Sequence, residues 1–255
     1  MYLDGLLRGI TDKFIRRRLP RIVTIKTFVP AGCQFEISTP VEAYRVECFG
    51  GEKIFTKKIL SELTPSDVLF DIGACVGMVS VHAAKKGVHV VAFEPDPGYY
   101  SRLKTNLRLN GLDQVHVVPW AVSDKPGETV LYTDGVGGNS PSLRKVGDRG
   151  SVTVRTDTID LALSRDEFPP PTVIKIDIEG AEILALRGMT RLLQSKTAPR
   201  AIFIETHPQF LPLFGSSEAE VMRLLESFRY IQKYKSQREG QMHYMYWRDK
   251  QAALI

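Results

Sequence analysis

From Val68 onward, short apolar segments alternate with windows of helical periodicity, and this alternation limits the folds open to the chain. Strands separated by helices pair in parallel through βαβ crossovers, and helices then cover both faces of the sheet. We therefore predict an α/β protein with a doubly wound, mostly parallel sheet. The predicted strands are residues 68–73, 88–94, 115–122, 172–180 and 201–207, and the predicted helices are residues 77–87, 97–111, 181–189 and 218–228.

The segments around this alternation have a different character. Residues 22–48 are rich in β-branched and aromatic side chains, which favour strands, and residues 52–63 have helical periodicity. We predict a basic N-terminal helix and β-rich lead-in over residues 1–51, and a main domain over residues 52–255. The lead-in at residues 22–51 is expected to line the acceptor side of the site. Further strands are predicted at residues 128–133 and 151–156, and a C-terminal antiparallel hairpin at residues 230–235 and 242–247.

The positive charge of the chain is concentrated in its N-terminal arm. The first 30 residues carry seven basic and two acidic side chains, and their net charge of +5 equals that of the whole chain. Leucine and isoleucine recur at helical spacing in the same stretch. This arm either packs on the domain with its arginines in solvent, or contacts an anionic membrane surface or another polyanion.

Cysteine usage and hydropathy indicate the compartment. The three cysteines, Cys33, Cys48 and Cys75, are odd in number and lack metal-ligand spacing, so we predict free thiols in a reducing environment. No apolar run reaches the ~18 residues of a membrane span. We expect a cytoplasmic protein, with peripheral membrane contact through the basic arm as the alternative. The sequence does not indicate an oligomeric state.

Acidic side chains occur at the ends of four predicted strands: Asp71, Glu94, Asp177 and Glu205. In doubly wound sheets, ligands bind beyond the carboxyl ends of the strands. The position of Glu94 is suitable for a carboxylate that accepts hydrogen bonds from ribose hydroxyls, as in dinucleotide-binding proteins. A solvated strand end is the other interpretation of the same residue.

The first strand-to-helix turn decides between ligands. The sequence VLFDIGACVG, residues 68–77, keeps Gly73 and Gly77 for a tight turn, but it has Asp71 and Cys75 where a dinucleotide site needs room for phosphate oxygens. An aspartate repels a pyrophosphate, whereas it attracts an ammonium or sulfonium group. The turn therefore favours S-adenosylmethionine, which contains a nucleoside and an amino acid but no phosphate.

The segment TVIKIDIEGAE, residues 172–182, places Lys175, Asp177 and Glu179 in what should be an apolar central strand. Such groups are costly to bury unless they are paired or functional. Two interpretations remain open: a structural network of Lys175 with carboxylates, or a site in which Asp177 faces the transferred methyl group.

Six motifs in this order resemble the FkbM-type S-adenosylmethionine-dependent methyltransferases. They are VLFDIGACVG (68–77), AFEPDP (92–97), NLRLNG (106–111), AVSD (121–124), KIDIEGAE (175–182) and IFIETHP (202–208), and the resemblance extends from about residue 52 to residue 208. The resemblance implies a Rossmann-like class I methyltransferase fold with a seven-stranded sheet, and O-methylation of a hydroxyl on a sugar, glycan or natural product. The chain departs from the family at Cys75, where asparagine is usual.

On these motifs we assign the site residues. The predicted cofactor-binding residues are Asp71, Gly73, Ala74, Cys75, Gly77, Glu94, Pro95, Ala121, Val122 and Asp177. The candidates for a general base that deprotonates the hydroxyl are Asp177, Glu179, Glu205 and His207. We assign no metal ligand, because no spacing demands one, and Mg²⁺ held by the carboxylates is the minority alternative.

Three other functions stay open. A nicotinamide-dependent oxidoreductase shares Glu94 and the βαβ units, although Asp71 and Cys75 disfavour it. An RNA or DNA methyltransferase would suit the basic arm, but the sequence after the fourth parallel strand lacks the Asn/Asp-Pro-Pro-aromatic arrangement of amino-nitrogen methylation. A non-catalytic module that keeps the cofactor fold for partner binding is the third. We take O-methylation as the leading prediction.

Overall fold

The computed structural model describes residues 19–138, 140–145 and 148–249, so the predicted basic helix of the arm lies outside the described residues. The strands are β1 (Arg21–Ile25), β2 (Cys33–Ile37), β3 (Val68–Ile72), β4 (His89–Phe93), β5 (His116–Val118), β6 (Ala121–Val122), β7 (Gly127–Tyr132), β8 (Ser151–Asp157), β9 (Val173–Ile176), β10 (Ala201–Thr206), β11 (Tyr230–Arg238) and β12 (Gln241–Arg248). The helices are α1 (Pro40–Glu47), α2 (Lys53–Glu62), α3 (Met78–Lys85), α4 (Pro97–Leu109), α5 (Ile159–Ser164), α6 (Glu182–Arg187), α7 (Thr190–Gln194) and α8 (Glu218–Ser227).

The central sheet has seven strands in the order β11-β12-β10-β9-β3-β4-β5. Strands β5, β4, β3, β9 and β10 pair in parallel, whereas β12 is antiparallel to both β10 and β11. This order confirms the predicted doubly wound, mostly parallel sheet and its C-terminal antiparallel hairpin. Because β3 lies between β4 and β9, the strand order reverses there, which is where such sheets bind ligands.

Two hydrophobic clusters cover the two faces of this sheet. Consecutive residues of a strand point to opposite faces, so Leu69 enters one cluster and Phe70 the other. The first cluster joins α2, α3 and α4 to the sheet, and the second joins α5 to α8. Since both faces are buried, the central positions of the parallel strands are apolar, and the polar side chains lie towards the strand ends.

The lead-in is tied to the main domain through Asn106 of α4 and Asn110, which caps the end of that helix. Asn110 Oδ1 accepts a hydrogen bond from Gln34 N at 2.8 Å, and Asn106 Oδ1 accepts one from Glu36 N at 2.9 Å. Asn110 Nδ2 also donates to Gln34 O at 2.7 Å. These side chains satisfy the edge of β2, which forms a two-stranded sheet with β1. The domain boundary at residue 52 stays a prediction.

Three details of the predicted secondary structure were wrong. The predicted strand 172–180 ends at Ile176, so Asp177 and Glu179 lie in the turn that follows it. The second half of the β-rich segment 22–48 contains helix α1, because Thr39 and Glu42 form a capping box and Pro40 starts the helix. The predicted strand 115–122 divides into β5 and β6, which belong to different sheets. Pro119 lies at the division, where its missing N–H prevents the sheet ladder from continuing. Strands β6, β8 and β7 form a third, three-stranded sheet.

None of the helices within the described residues has the length and apolar character that a membrane span requires.

Candidate active site

A cavity of about 790 Å³ opens at the carboxyl ends of the parallel strands. This volume is within the range of small-molecule sites. Eleven of the thirteen predicted site residues line it: Asp71, Gly73, Ala74, Cys75, Glu94, Pro95, Ala121, Val122, Asp177, Glu179 and Glu205. Gly77 and His207 are not among the lining residues. The sheet therefore brings together most of the residues selected from the sequence.

The turn after β3 depends on close backbone contacts. Gly73 has a φ of 81°, and a Cβ atom placed on it would lie 1.9 Å from the carbonyl oxygen of Asp177. Gly77 has a φ of 88°, and its Cβ would lie 2.4 Å from the side chain of Leu103. Glycine at both positions lets the turn approach β9 and α4 closely. Gly77 thus shapes the turn from behind without lining the cavity.

Cys75 occupies the middle of this turn with a φ of 52°. Asparagine tolerates this left-handed conformation better than cysteine, because its short polar side chain bonds to the local backbone. Burial raises the pKa of the Cys75 thiol to about 12, so this cysteine is a neutral lining group.

Asp71 is buried beside the turn and is held by two neighbours. Ser80 Oγ donates a 2.6 Å hydrogen bond to Asp71 Oδ2, and Lys175 Nζ lies 3.3 Å from Asp71 Oδ1. Lys175 Nζ donates hydrogen bonds to Gly73 O at 2.7 Å and to Ile72 O at 3.4 Å, so Asp71 Oδ1 is buried in an ion pair with Lys175 but accepts no hydrogen bond. A buried carboxylate oxygen of a cavity-lining residue that accepts no hydrogen bond has lone pairs left for a ligand donor.

Lys175 joins Asp71 to the second acidic strand end. Its Nζ lies 3.5 Å from Asp177 Oδ2. Burial opposes a charge on Lys175, but Asp71 and Asp177 raise its pKa above the ordinary value, so it is a cation. The buried Lys175–carboxylate network that we considered in the sequence is therefore present, and it lies within the cavity lining.

Glu94 closes the opposite side of the turn. Its Oε2 accepts a hydrogen bond from Cys75 N at 2.8 Å, and its Oε1 accepts one from Asp96 N at 2.9 Å. Asp96 in turn caps α4 by accepting from Tyr99 N at 2.8 Å. Each oxygen of Glu94 keeps a second lone pair for a ligand. Burial raises the pKa of Glu94 to about 7.

This raised pKa predicts a pH-dependent effect of Glu94→Gln on stability. The pKa of about 7 in the folded protein exceeds the unfolded value of ~4.3. The stabilisation of the fold by the neutral carboxyl group of Glu94 is thus fully present below pH ~4.3, and it is lost as the pH rises through 7. As the pH rises from 4.5 to 8, we expect the unfolding free energy of Glu94→Gln to increase by up to about 3 kcal/mol relative to that of the wild type.

Urea denaturation of both proteins across this pH range measures the difference. Glu128→Gln, at an exposed position of β7, is the matched control and should show no pH-dependent difference from the wild type. An unfolding free energy of Glu94→Gln that runs parallel to the wild type would contradict the raised pKa.

Three carboxylates, Asp177, Glu179 and Glu205, form what we call the acidic floor of the cavity. Glu205 Oε2 lies 2.8 Å from His243 Nε2, and Glu179 has a left-handed backbone with a φ of 55°. Burial, followed by the charge of Asp177, raises the pKa of Glu205 to about 8. For Asp177, burial acts in the same direction, but Lys175 and the nearby histidines outweigh it and lower its pKa. The negative charge of the floor is therefore concentrated on Asp177, and the floor offers carboxyl oxygens to a cation or to a hydroxyl donor.

His207 lies directly behind the acidic floor and is completely buried. Its Nδ1 is 2.8 Å from Glu182 Oε1, and its ring stacks on Phe210. Burial lowers its pKa, but the contacts with Glu182 and Glu179 outweigh this and raise the pKa to about 10. The structure therefore does not favour His207 as a base that contacts the acceptor, whereas Asp177, Glu179 and Glu205 reach the cavity.

The lead-in and the glycine-rich loop supply lining residues that the sequence did not reveal. Arg45 of α1 hydrogen-bonds the Tyr99 hydroxyl, Gly138 O and Ser140 Oγ, the last two at 3.3 Å. Arg144 places its guanidinium 3.5 Å from the centroid of the Phe210 ring. The loop that contains Gly138 thus reaches the cavity through Ser140. No spacing in the sequence connects Arg45 with that loop.

Comparisons with known proteins identify the family. The family model "Methyltransferase FkbM domain" matches residues 71–231. The chain is 31% identical to the hexuronic acid methyltransferase AglP of Haloferax volcanii, over 70% of this chain and 72% of that protein. It is 30% identical to the 31-O-demethyl-FK506 methyltransferase FkbM of Streptomyces tacrolimicus, over 55% of this chain and 60% of that protein.

Among solved structures, a ribosomal protein L11 methylase from Lactobacillus delbrueckii aligns with a TM-score of 0.48 and 13% identity, covering 78% of this chain and 79% of that chain. The family match spans the turn after β3, the acidic floor and the start of β11. The family implies S-adenosylmethionine as the methyl donor. The chain is therefore a methyltransferase and belongs to the FkbM family.

Proposed function

We propose that this protein transfers a methyl group from S-adenosylmethionine to a hydroxyl group of a sugar, glycan or natural-product acceptor. The observation that carries the proposal is that Asp71 lines the cavity with a buried carboxylate whose Oδ1 atom is ion-paired with Lys175 but accepts no hydrogen bond. The two curated relatives, a hexuronic acid methyltransferase and a demethyl-FK506 methyltransferase, support an acceptor of this class.

The residues around the turn fit S-adenosylmethionine. Asp71 Oδ1 is placed to accept a hydrogen bond from the ammonium group of the methionine moiety, and Glu94 has lone pairs left for two ribose hydroxyls. Gly73 and Gly77 let the backbone turn tightly beside the ligand. When bound, this cofactor supplies an electrophilic methyl carbon on a sulfonium.

The same residues argue against a phosphate-bridged cofactor. The buried carboxylate of Asp71 lies beside the turn where a dinucleotide would place its pyrophosphate. A carboxylate and a phosphate that lie close together in a poorly screened site repel each other by several kcal/mol. Together with the family membership, this argues against the nicotinamide-dependent oxidoreductase considered from the sequence.

The acidic floor would act on the acceptor. An alkyl hydroxyl attacks efficiently only when a base removes its proton, and the base must reach it directly or through one water molecule. We assign this role to Glu179, because its side chain lines the cavity and is 18% exposed. Its left-handed backbone is a strained conformation of the kind that occurs at functional sites. Asp177 and Glu205 lie next to it and position the hydroxyl.

Methyl transfer from radiolabelled S-adenosylmethionine tests the function and the base together. An extract of source cells that lack the gene provides the acceptor pool, and we expect label in the glycan or small-molecule fraction. Glu179→Gln should lower the rate ~100–1000-fold with unchanged cofactor affinity, because only proton removal is lost. Glu128→Gln serves as the exposed control. Label that is sensitive to ribonuclease would instead establish the nucleic-acid alternative.

A further inference from the structure

One group of side chains at the acidic floor has the arrangement of a metal site. Asp177 follows β9, Glu205 is near the end of β10, and His207 follows β10. One ligand atom from each of these three residues lies within 4.8 Å of the other two. Two carboxylate oxygens and an imidazole nitrogen at such spacing can converge on one divalent cation.

The unpaired nitrogen of His207 is an independent indication. His207 is completely buried, yet its Nε2 has no hydrogen-bond partner. This atom faces the floor and lies 3.6 Å from both Glu205 Oε1 and Glu179 Oε2. The other ring nitrogen, Nδ1, is 2.8 Å from Glu182 Oε1, and Glu182 is itself buried and held by Gly180 N at 2.8 Å. Histidine ligands of metals commonly have this carboxylate partner, which fixes the ring and points Nε2 at the ion. Because the pKa of His207 is raised, a bound cation would displace the proton on Nε2.

A neighbouring group, Glu52, Glu205 and His243, has similar spacing but is already satisfied. In this group, His243 Nε2 is hydrogen-bonded to Glu205 Oε2 at 2.8 Å, and the His243 ring stacks on Phe55. Glu52 is held by Arg238 at 2.5 Å. The remaining oxygen of Glu205, Oε1, is the one that faces His207. The open coordination position is therefore on the His207 side.

We propose that Asp177, Glu205 and His207 bind one divalent cation at the floor of the cavity, with Glu182 as the positioning residue for His207. Carboxylate ligands favour Mg²⁺ or Mn²⁺, and an imidazole nitrogen is accepted more readily by Mn²⁺. Because Asp177 and Glu205 line the cavity, an acceptor can reach the cation with its hydroxyl groups. The contact between the acceptor and the cation rests on the proposed function, whereas cation binding does not.

Electron paramagnetic resonance of the purified full chain with Mn²⁺ tests the site in the absence of cofactor and acceptor. We expect one bound Mn²⁺ per chain, with a ¹⁴N coupling from His207 in the electron spin echo. Asp177→Asn and Glu205→Gln should each weaken Mn²⁺ binding at least ~10-fold, and His207→Gln should also remove the ¹⁴N coupling. Glu128→Gln and His89→Gln, both at exposed positions, are the matched controls and should bind like the wild type.

Circular dichroism of each variant identifies any that fail to fold, and the wild-type spectrum is decisive by itself. Absence of bound Mn²⁺ in the wild type, or bound Mn²⁺ without a ¹⁴N coupling, would overturn the assignment. Because neither readout involves methyl transfer, a failure here is distinguishable from a failure of the proposed function.

Discussion

Replacing Asp71 with asparagine is expected to weaken the binding of S-adenosylmethionine at least ~100-fold, or about 3 kcal/mol. The asparagine keeps the volume of the side chain but removes the charged acceptor that Oδ1 offers to the ligand ammonium group. It also leaves Lys175 without one of its two carboxylates, which places an uncompensated positive charge beside a cationic ligand. Isothermal titration calorimetry of the wild type and the variant measures the change.

Asp113→Asn is the matched control, because Asp113 is exposed and lies on the loop after α4, away from the cavity. It should bind the cofactor with wild-type affinity. Thermal melting of both variants shows whether a lost affinity reflects a lost fold. If a folded Asp71→Asn protein binds within threefold of the wild type, Asp71 is not a cofactor ligand.

The second large effect is expected for Gly73→Ala, which should lower the free energy of unfolding by at least about 3 kcal/mol. The new methyl group would lie 1.9 Å from the carbonyl oxygen of Asp177, so the backbone of the turn or of the end of β9 must move. The same movement would displace Asp71 and Asp177 from the cavity wall. Stability and cofactor binding should therefore decrease together, measured by urea denaturation and calorimetry.

Gly111→Ala separates this clash from backbone strain. Gly111 also has a positive φ, 66°, but no atom lies within 4 Å of its added Cβ. Its replacement should cost only the ~1–2 kcal/mol of a left-handed residue and leave cofactor binding unchanged. Equal destabilisation by the two substitutions would show that the contact between Gly73 and Asp177 has no special role.

The central sheet was predictable from the sequence because its residues act through local patterns. The parallel strands are buried on both faces, so they are apolar runs, and their acidic ends are conspicuous within them. The carboxyl ends of parallel strands meet at one edge, which is why Asp71, Glu94, Asp177 and Glu205 all line one cavity. Helix α1 could also have been found, since Thr39-Pro40-Val41-Glu42 has the pattern of a capping box.

Other parts of the site depend on contacts between distant segments. Arg45 reaches the cavity because α1 packs beside the loop at Gly138, and Glu52 meets Arg238 only when the hairpin folds back on the start of α2. His207 follows a strand end in the sequence, where a solvated loop residue is expected. The carboxylate of Glu182, which begins α6, instead holds it in the interior. Contacts of this kind between distant segments produce no regular pattern in a single sequence.

Calorimetric titration of the wild-type chain with S-adenosylmethionine, with its demethylated product and with NAD⁺ tests the central claim most directly. Because Asp71 is buried beside the turn after β3 and its Oδ1 atom accepts no hydrogen bond, we predict one-to-one binding of the two sulfur-containing ligands and no heat with NAD⁺. Tight binding of NAD⁺, with no heat from S-adenosylmethionine or its product, would contradict the account.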